Sequence, residues 1–198
     1  FAEKLKEKAP GAKLVLVELD GKEKFANANR RNDPKYAIRL GLADAGLISQ
    51  FIRPLDHDAE DPDEAEQDAR FRADAAWLDS LRQTGMRFTP LHTLGEAIPD
   101  QLNQLAFWLV KRRSDGPTNK AQFTPIAVLI RPGQKCIMGK TADMAEWVPY
   151  PELLLSLTGQ IDQGDLKTEA QQSAATAAFV KKTLSMLRGN PTLVLPRA

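Results

Sequence analysis

The sequence predicts an α/β protein, and three observations carry that prediction. A short apolar run, KLVLVELD, is followed by a polar stretch, a helical segment opening at Asp33-Pro34 and a second apolar run, LISQFI. Strand, helix and strand in that order form a βαβ pattern, which implies a parallel pair. Further on, LAFWLVKRR, TPIAVLIRP and KCIMGK are strand-like runs separated by the turn-forming Asp115-Gly116-Pro117 and Pro132-Gly133, an antiparallel meander in outline. Helical segments then precede a last apolar run, TLVL.

Composition sets the outer bounds. With 198 residues, 42% of them hydrophobic and 27% charged, the chain can build one sizeable core, or a compact domain plus part of another. A net charge of +1 gives no global attraction for a polyanion, so any basic surface has to be local. The single cysteine, Cys136, excludes an intrachain disulfide and a cysteine-based zinc site, and suits a cytoplasmic protein. No apolar run approaches the roughly 20 residues of a membrane span, so no membrane partner is expected. The start at Phe1 inside the charged helical pattern FAEKLKEKAP, and the stop at TLVLPRA just after an apolar strand, predict a fragment of a longer protein.

Taken in order, FAEKLKEK reads as a helix broken by Pro10-Gly11, and KLVLVELD as a buried strand. Glu18 and Asp20 at its end read as a solvated strand end before the Gly21 turn rather than as metal ligands. Residues 22–32, with Arg30 and Arg31, form a loop. Asp33 suits an N-cap, Pro34 the first helical position and Gly46 a stop. Lys35 and Arg39, four apart, share one helical face, and Gln50 is the one amide in the following strand. In a βαβ unit the helix N-terminus lies near the C-terminal ends of the strands, so these three groups should converge on an anion site. The alternative is a solvated pair of cations, with Gln50 bonded to a neighbouring loop.

The acidic run at 56–68, DHDAEDPDEAEQD, lacks the glycine and terminal glutamate spacing of a calcium loop. It reads as a solvated segment feeding a helix, whose dipole its carboxylates suit. Over 65–84, Phe71, Ala75, Leu78 and Leu81 recur at three and four with Trp77 adjoining, which predicts the core face of an amphipathic helix closed by Gly85. Arg70, Arg72, Arg82 and Arg87 are spread around and beyond it. Residues 87–104 connect two modules, and His92 there suits capping or packing. WVPYPELLLSL predicts a helix with Leu153, Leu154 and Leu157 apolar, and 170–187 a longer one with Phe179, Leu184 and Leu187 on its core face, ended by Gly189-Asn190-Pro191. Three strands, helices and another strand is the opening order of an RNase H-like fold.

With both halves in view, DPKYAIRLGLADAGLISQFI, AAWLDSLRQTGM and the run WLVKRR…TPIAVLIRPG…WVPYPELLLSL…NPTLVL resemble the prokaryotic PIWI-RE proteins, relatives of Argonaute. The resemblance covers nearly the whole chain. It implies a Rossmann-like MID domain over 1–87, a connecting segment over 88–104, and the first part of a truncated RNase H-like PIWI domain over 105–198. The function it implies is anchoring the 5′ end of a guide strand, RNA or DNA, and supporting a guide–target duplex. In Argonaute relatives a Tyr and a Lys four apart, a Gln on the next strand and lysines on the following helix hold the 5′ phosphate. Here Lys35 stands at the Tyr position, Arg39 at the first Lys and Gln50 at the Gln, while Tyr36, one residue out of register, is a candidate for stacking on a base. The lysine positions of the following helix, counted back from Gly85, fall near Asp79 and Gln83, and Arg72 and Arg82 are the substitutes on offer.

RNase H chemistry needs several carboxylates holding two divalent metals about 4 Å apart. The first strand of that fold here reads WLVKRR, with no carboxylate before Asp115, and the fourth ends at Pro196-Arg197-Ala198. No catalytic set is read in this chain, and cleavage by a full-length protein would need residues outside it. No cofactor is read from the residues themselves; the resemblance allows Mg at a guide 5′ end or in a full-length nuclease domain. It also implies prokaryotic defence as a setting and a partner nuclease or helicase. The competing reading is an α/β domain binding a small phosphorylated metabolite or nucleotide. Against that reading, the chain has no GxGxxG or Walker A sequence.

Overall fold

The computed structural model describes residues 2–25, 34–86, 95–99, 101–112, 122–159 and 168–195. The chain divides into two compact units, Phe1–Thr84 with Leu154–Gly159, and Gly85–Leu153 with Gln160–Ala198. Both mix helices and strands, so the protein is α/β as its sequence predicts. Among the described residues no helix is long and apolar enough to cross a membrane.

In the first unit, helix α1 (Ala2–Lys8) leads to strand β1 (Leu14–Glu18), and a single 3-10 turn at Lys22–Lys24 follows. Helix α2 (Pro34–Asp44) starts on the expected proline and returns the chain to strand β2 (Ile48–Ile52). Asp33, Arg30 and Arg31 lie outside the described residues. The two strands pair in parallel, Leu14 beside Ile48 and Val17 beside Phe51. Gly46, at φ 74°, ends α2 because few residues other than glycine take that conformation without strain. Its N–H donates to the Ala43 carbonyl at 2.8 Å and that of Leu47 to the Leu42 carbonyl at 2.9 Å. That is a complete Schellman cap, and the accompanying apolar contact is present because Leu42 and Leu47 share the core cluster with Ala45. Ile38, Val15, Val17 and Leu5 pack against them. Ser49 and Phe51 share a strand face with their register neighbours Val15 and Val17, and both valines pack against the cluster that α2 helps to form, so α2 covers that face.

Helix α3 (Pro62–Gln83) begins inside the acidic run, earlier than its apolar periodicity suggests. Asp61 caps it, accepting from the Asp63 and Glu64 amides at 3.0 and 3.1 Å, and both of those residues add carboxylates to the first turn. The expected core face is corrected here. Phe71, Ala75, Leu78 and Leu81 are exposed, as is Trp77 at 63%, whereas Ala76 and Ser80 are buried. Small side chains let the helix backbone approach its neighbours closely, and the Ser80 hydroxyl is satisfied by the Ala76 carbonyl at 2.7 Å.

The second unit is built on a five-stranded sheet ordered β6-β5-β4-β3-β7. Strands β3 (Asn103–Arg112), β4 (Gln122–Ile130) and β5 (Met138–Thr141) form the expected antiparallel meander, and a two-residue β6 (Val148–Pro149) extends it. The turns at 113–121 and the residue His92 lie outside the described residues. Helix α4 (Tyr150–Gly159), whose residues from Leu154 onward belong to the first unit, and helix α5 (Glu169–Met186) follow, and β7 (Thr192–Leu195) returns parallel to β3. Thr168 opens α5 with a capping box shared with Gln171. One sheet face carries Leu105, Ala127 and Leu129, which pack with Phe179 and Leu187. Phe107 meets Phe179 edge-on, ring centroids 6.2 Å apart. Leu184, expected on this face of α5, is exposed, and Thr183 is buried in its stead. On the opposite sheet face Gly139 lies under the buried Leu153 of α4, and a Cβ at Gly139 would overlap the Leu153 side chain.

Lys140, in register with Ala127 on the core face, is 1% exposed. Its Nζ donates to the Ala145 carbonyl and lies 3.5 Å from Met186 Sδ. Burial first, and the like charge of Lys182 second, hold its ammonium pKa below the ordinary value, with Glu146 opposing.

Candidate nucleic-acid interface

Two adjacent residues of β2 organise the candidate site. Successive strand side chains leave on opposite faces, so Phe51 points toward α2 and Gln50 away from it. Lys35 and Arg39, one turn apart at the start of α2, both reach the Phe51 ring. Lys35 Nζ and Arg39 Cζ each lie 5.2 Å from its centroid. Two like charges are thereby held within about 10 Å of each other. Their repulsion in water is a few tenths of a kcal/mol, less than the roughly 0.5–1 kcal/mol that each cation–π contact contributes at such a site. The ring therefore favours both cations at this face of β2.

The helix end adds to that charge. No acidic residue stands in the first turn of α2, and the positive end of its macrodipole coincides with the two cations. The contrast with α3 is informative, since its N-terminus is occupied by its own Asp61, Asp63 and Glu64. Tyr36 is half-buried in the same first turn of α2.

On the other face of β2, Gln50 Oε1 accepts from Gln83 Nε2 at 2.6 Å, and Gln50 Nε2 donates to the Phe51 carbonyl at 3.4 Å. Gln50 thus bonds to a helix, not to the neighbouring loop of the alternative reading. Gln83 lies near one of the positions where the family resemblance leads to an expected lysine, and a neutral amide pair stands there. Asp79, near the other such position, is 2.8 Å from Arg82 in an exposed ion pair.

The six candidate residues therefore fall into three groups. Lys35, Arg39 and Tyr36 share the start of α2, and the first two meet over Phe51. Gln50 is adjacent in β2 but faces α3. The arginines of α3 are apart from both. Arg82 is turned to solvent, and Arg72, eleven residues before Gln83, is about 16 Å back along the helix at 1.5 Å per residue. Arg72 is half-buried, 4.0 Å from Asp68, with its Nε buried and without a hydrogen-bond partner. Phe51 was not singled out from the sequence. Its signal is present in retrospect, an aromatic at the strand end opposite two cations one helical turn apart.

In the second unit, neither β3 nor β7 contains an aspartate or glutamate. Among the described residues no group of three or more His, Cys, Asp or Glu is arranged to hold a metal ion.

Comparison with known proteins agrees with this two-part architecture. Residues 1–92 match the MID domain of pPIWI_RE, and residues 104–197 match the RNaseH domain of pPIWI_RE. No curated protein and no solved structure matches the chain. MID followed by RNase H is an Argonaute-like, nucleic-acid-binding arrangement. A parallel βαβ unit with a cation-bearing helix start precedes a sheet with its first and last strands in parallel, and each half matches its own domain: the chain belongs to the pPIWI_RE family.

Proposed function

We propose that the start of α2 anchors the 5′ end of a guide strand, and that the RNase H-like half supports the guide–target duplex. The observation that carries this reading is the pairing of Lys35 and Arg39 over the Phe51 ring at the positive end of α2. A terminal phosphate is the ligand with matching charge, and both side chains can donate to its oxygens. Tyr36 stacks on the first base, and the Gln50–Gln83 amides accept and donate to the strand just beyond its end. Arg72 and Arg82 act farther along α3, on backbone phosphates rather than on the terminal one. The guide-end-binding domain spans residues 1–87 and the duplex-supporting part residues 105–198.

The test is a low-salt titration of a short 5′-phosphorylated oligonucleotide against the protein and its Lys35→Ala/Arg39→Ala variant. The substitutions remove two charge-assisted hydrogen bonds to phosphate, each worth about 1.5 kcal/mol or more, which predicts at least roughly hundredfold weaker binding. Equal affinity of the two proteins would refute the anchor. Displacement of the oligonucleotide by mononucleotides at equal concentration would instead favour a small phosphorylated ligand.

A further inference from the structure

The anchor leaves unexplained the far end of the β3–β4 pair. The buried cluster on the core face of the second unit ends at Leu105, Phe107 and Ala127. Beyond it on the same face the register pairs Leu109 with Pro125 and Lys111 with Phe123. Among the described residues the cover stops here. Leu109 is 42% and Phe123 43% exposed. Lys111 Nζ lies 5.7 Å from the Phe123 ring centroid, a cross-strand cation–π pair set in the open. In sequence Lys111 is followed by Arg112 and Arg113, and neither β3 nor β4 contains a carboxylate.

An aromatic and an aliphatic side chain exposed beside Lys111, with no acid in either strand, do not complement an ordinary protein surface of mixed charge. They complement a polyanion that also offers flat apolar faces. We infer that this end of the β3–β4 pair is a second nucleic-acid contact, where a base of a single-stranded segment stacks on Phe123 against Leu109 and Lys111 meets the adjacent phosphate. Stacking of this kind tolerates any base. Lys111, on its long flexible stem, moves from the ring to the phosphate as the base arrives. The inference rests on the nucleic-acid-binding reading above, but not on recognition of a 5′ end.

That difference supplies the test. Fluorescence anisotropy would follow a 3′-labelled oligothymidylate, carrying either a 5′ phosphate or a 5′ hydroxyl, binding to the whole chain at low salt. Lys111→Ala/Phe123→Ala is expected to weaken both strands by the same factor, about tenfold or more. Phe123→Trp should retain affinity and Phe123→Leu lose it, a split that packing alone would not produce. Lys35→Ala/Arg39→Ala should instead weaken mainly the phosphorylated strand. Unchanged affinity of Lys111→Ala/Phe123→Ala for both strands, alongside weaker binding by the α2 variant, overturns this contact and leaves the anchor standing. Uniformly weaker binding by Lys111→Ala/Phe123→Ala with no effect of the α2 variant supports the contact and removes the anchor. Absence of binding to either strand by the unsubstituted protein overturns both. A change in oligomeric state by sedimentation, at unchanged affinity, identifies the patch as a protein contact and overturns the inference.

Discussion

At the scale of single residues, Phe51 and Lys140 show how one neighbour sets what a charge can do. Phe51 offers one ring to two cations, Lys35 and Arg39, each 5.2 Å from its centroid. Phe51→Leu keeps the apolar bulk and removes the π face. It should weaken binding of a 5′-phosphorylated oligonucleotide about three- to tenfold, from roughly 0.5 kcal/mol or more per cation, and leave a 5′-hydroxyl strand almost unaffected in parallel titrations. Lys140 presents the opposite case, a cation in a place poor in partners. Its folded pKa is below its unfolded value of 10.5, so between the two the unfolded chain binds more protons. Stability therefore rises with pH across that window and is lost as pH falls through the folded pKa. Urea denaturation from neutral to alkaline pH should show this rise in the protein and a flatter profile in Lys140→Met, after correction for the groups the two share.

At the scale of elements, α3 separates periodicity from burial. Its apolar residues recur at the helical spacing, yet Leu78 is 55% exposed and Leu81 is exposed beside it, while Ala76 and Ser80 face inward. Leu78→Ala should accordingly shift stability by less than about 0.5 kcal/mol, the range of ordinary surface substitutions. Leu105→Ala, in the buried cluster of the sheet, should cost about 2–5 kcal/mol. Urea unfolding of the two variants checks both values. The helix starts obey a simpler rule. Asp61 and Thr168 are local caps, legible as residue types before a helical run, and both bond as their chemistry directs.

At the scale of the whole molecule, a net charge of +1 means that affinity for nucleic acid has to come from a few placed cations. Each phosphate neutralised releases counterions, so log K falls with log salt in proportion to the number of phosphates engaged. Removing Lys35 and Arg39 together, two cations facing a doubly charged terminal phosphate, should make that slope shallower by about 1.4 for a single strand, and removing Lys111 alone by about 0.7. A salt series on the variants measures this directly. Weaker binding without a change of slope would assign these residues to folding and not to phosphate contact. The two proposed contacts fall one in each unit.

The sequence by itself determined the order and type of nearly every element. It also determined the proline that opens α2 and the glycine that closes it, because these depend on contacts within a few residues, and the order of its apolar runs implied the parallel βαβ start and the meander. It carried the family as well, in the order of its runs. Only the tertiary structure decided which face of α3 meets its own unit, since a period of 3.6 names a stripe but not a partner for it. Only it paired Gln50 with Gln83, 33 residues apart, and brought Lys35 and Arg39 onto Phe51. Those contacts depend on strand register and on which side of β2 each helix packs. Local spacing encodes neither, and so the proposed anion site was legible as three residue types while the ring beside its two cations was not.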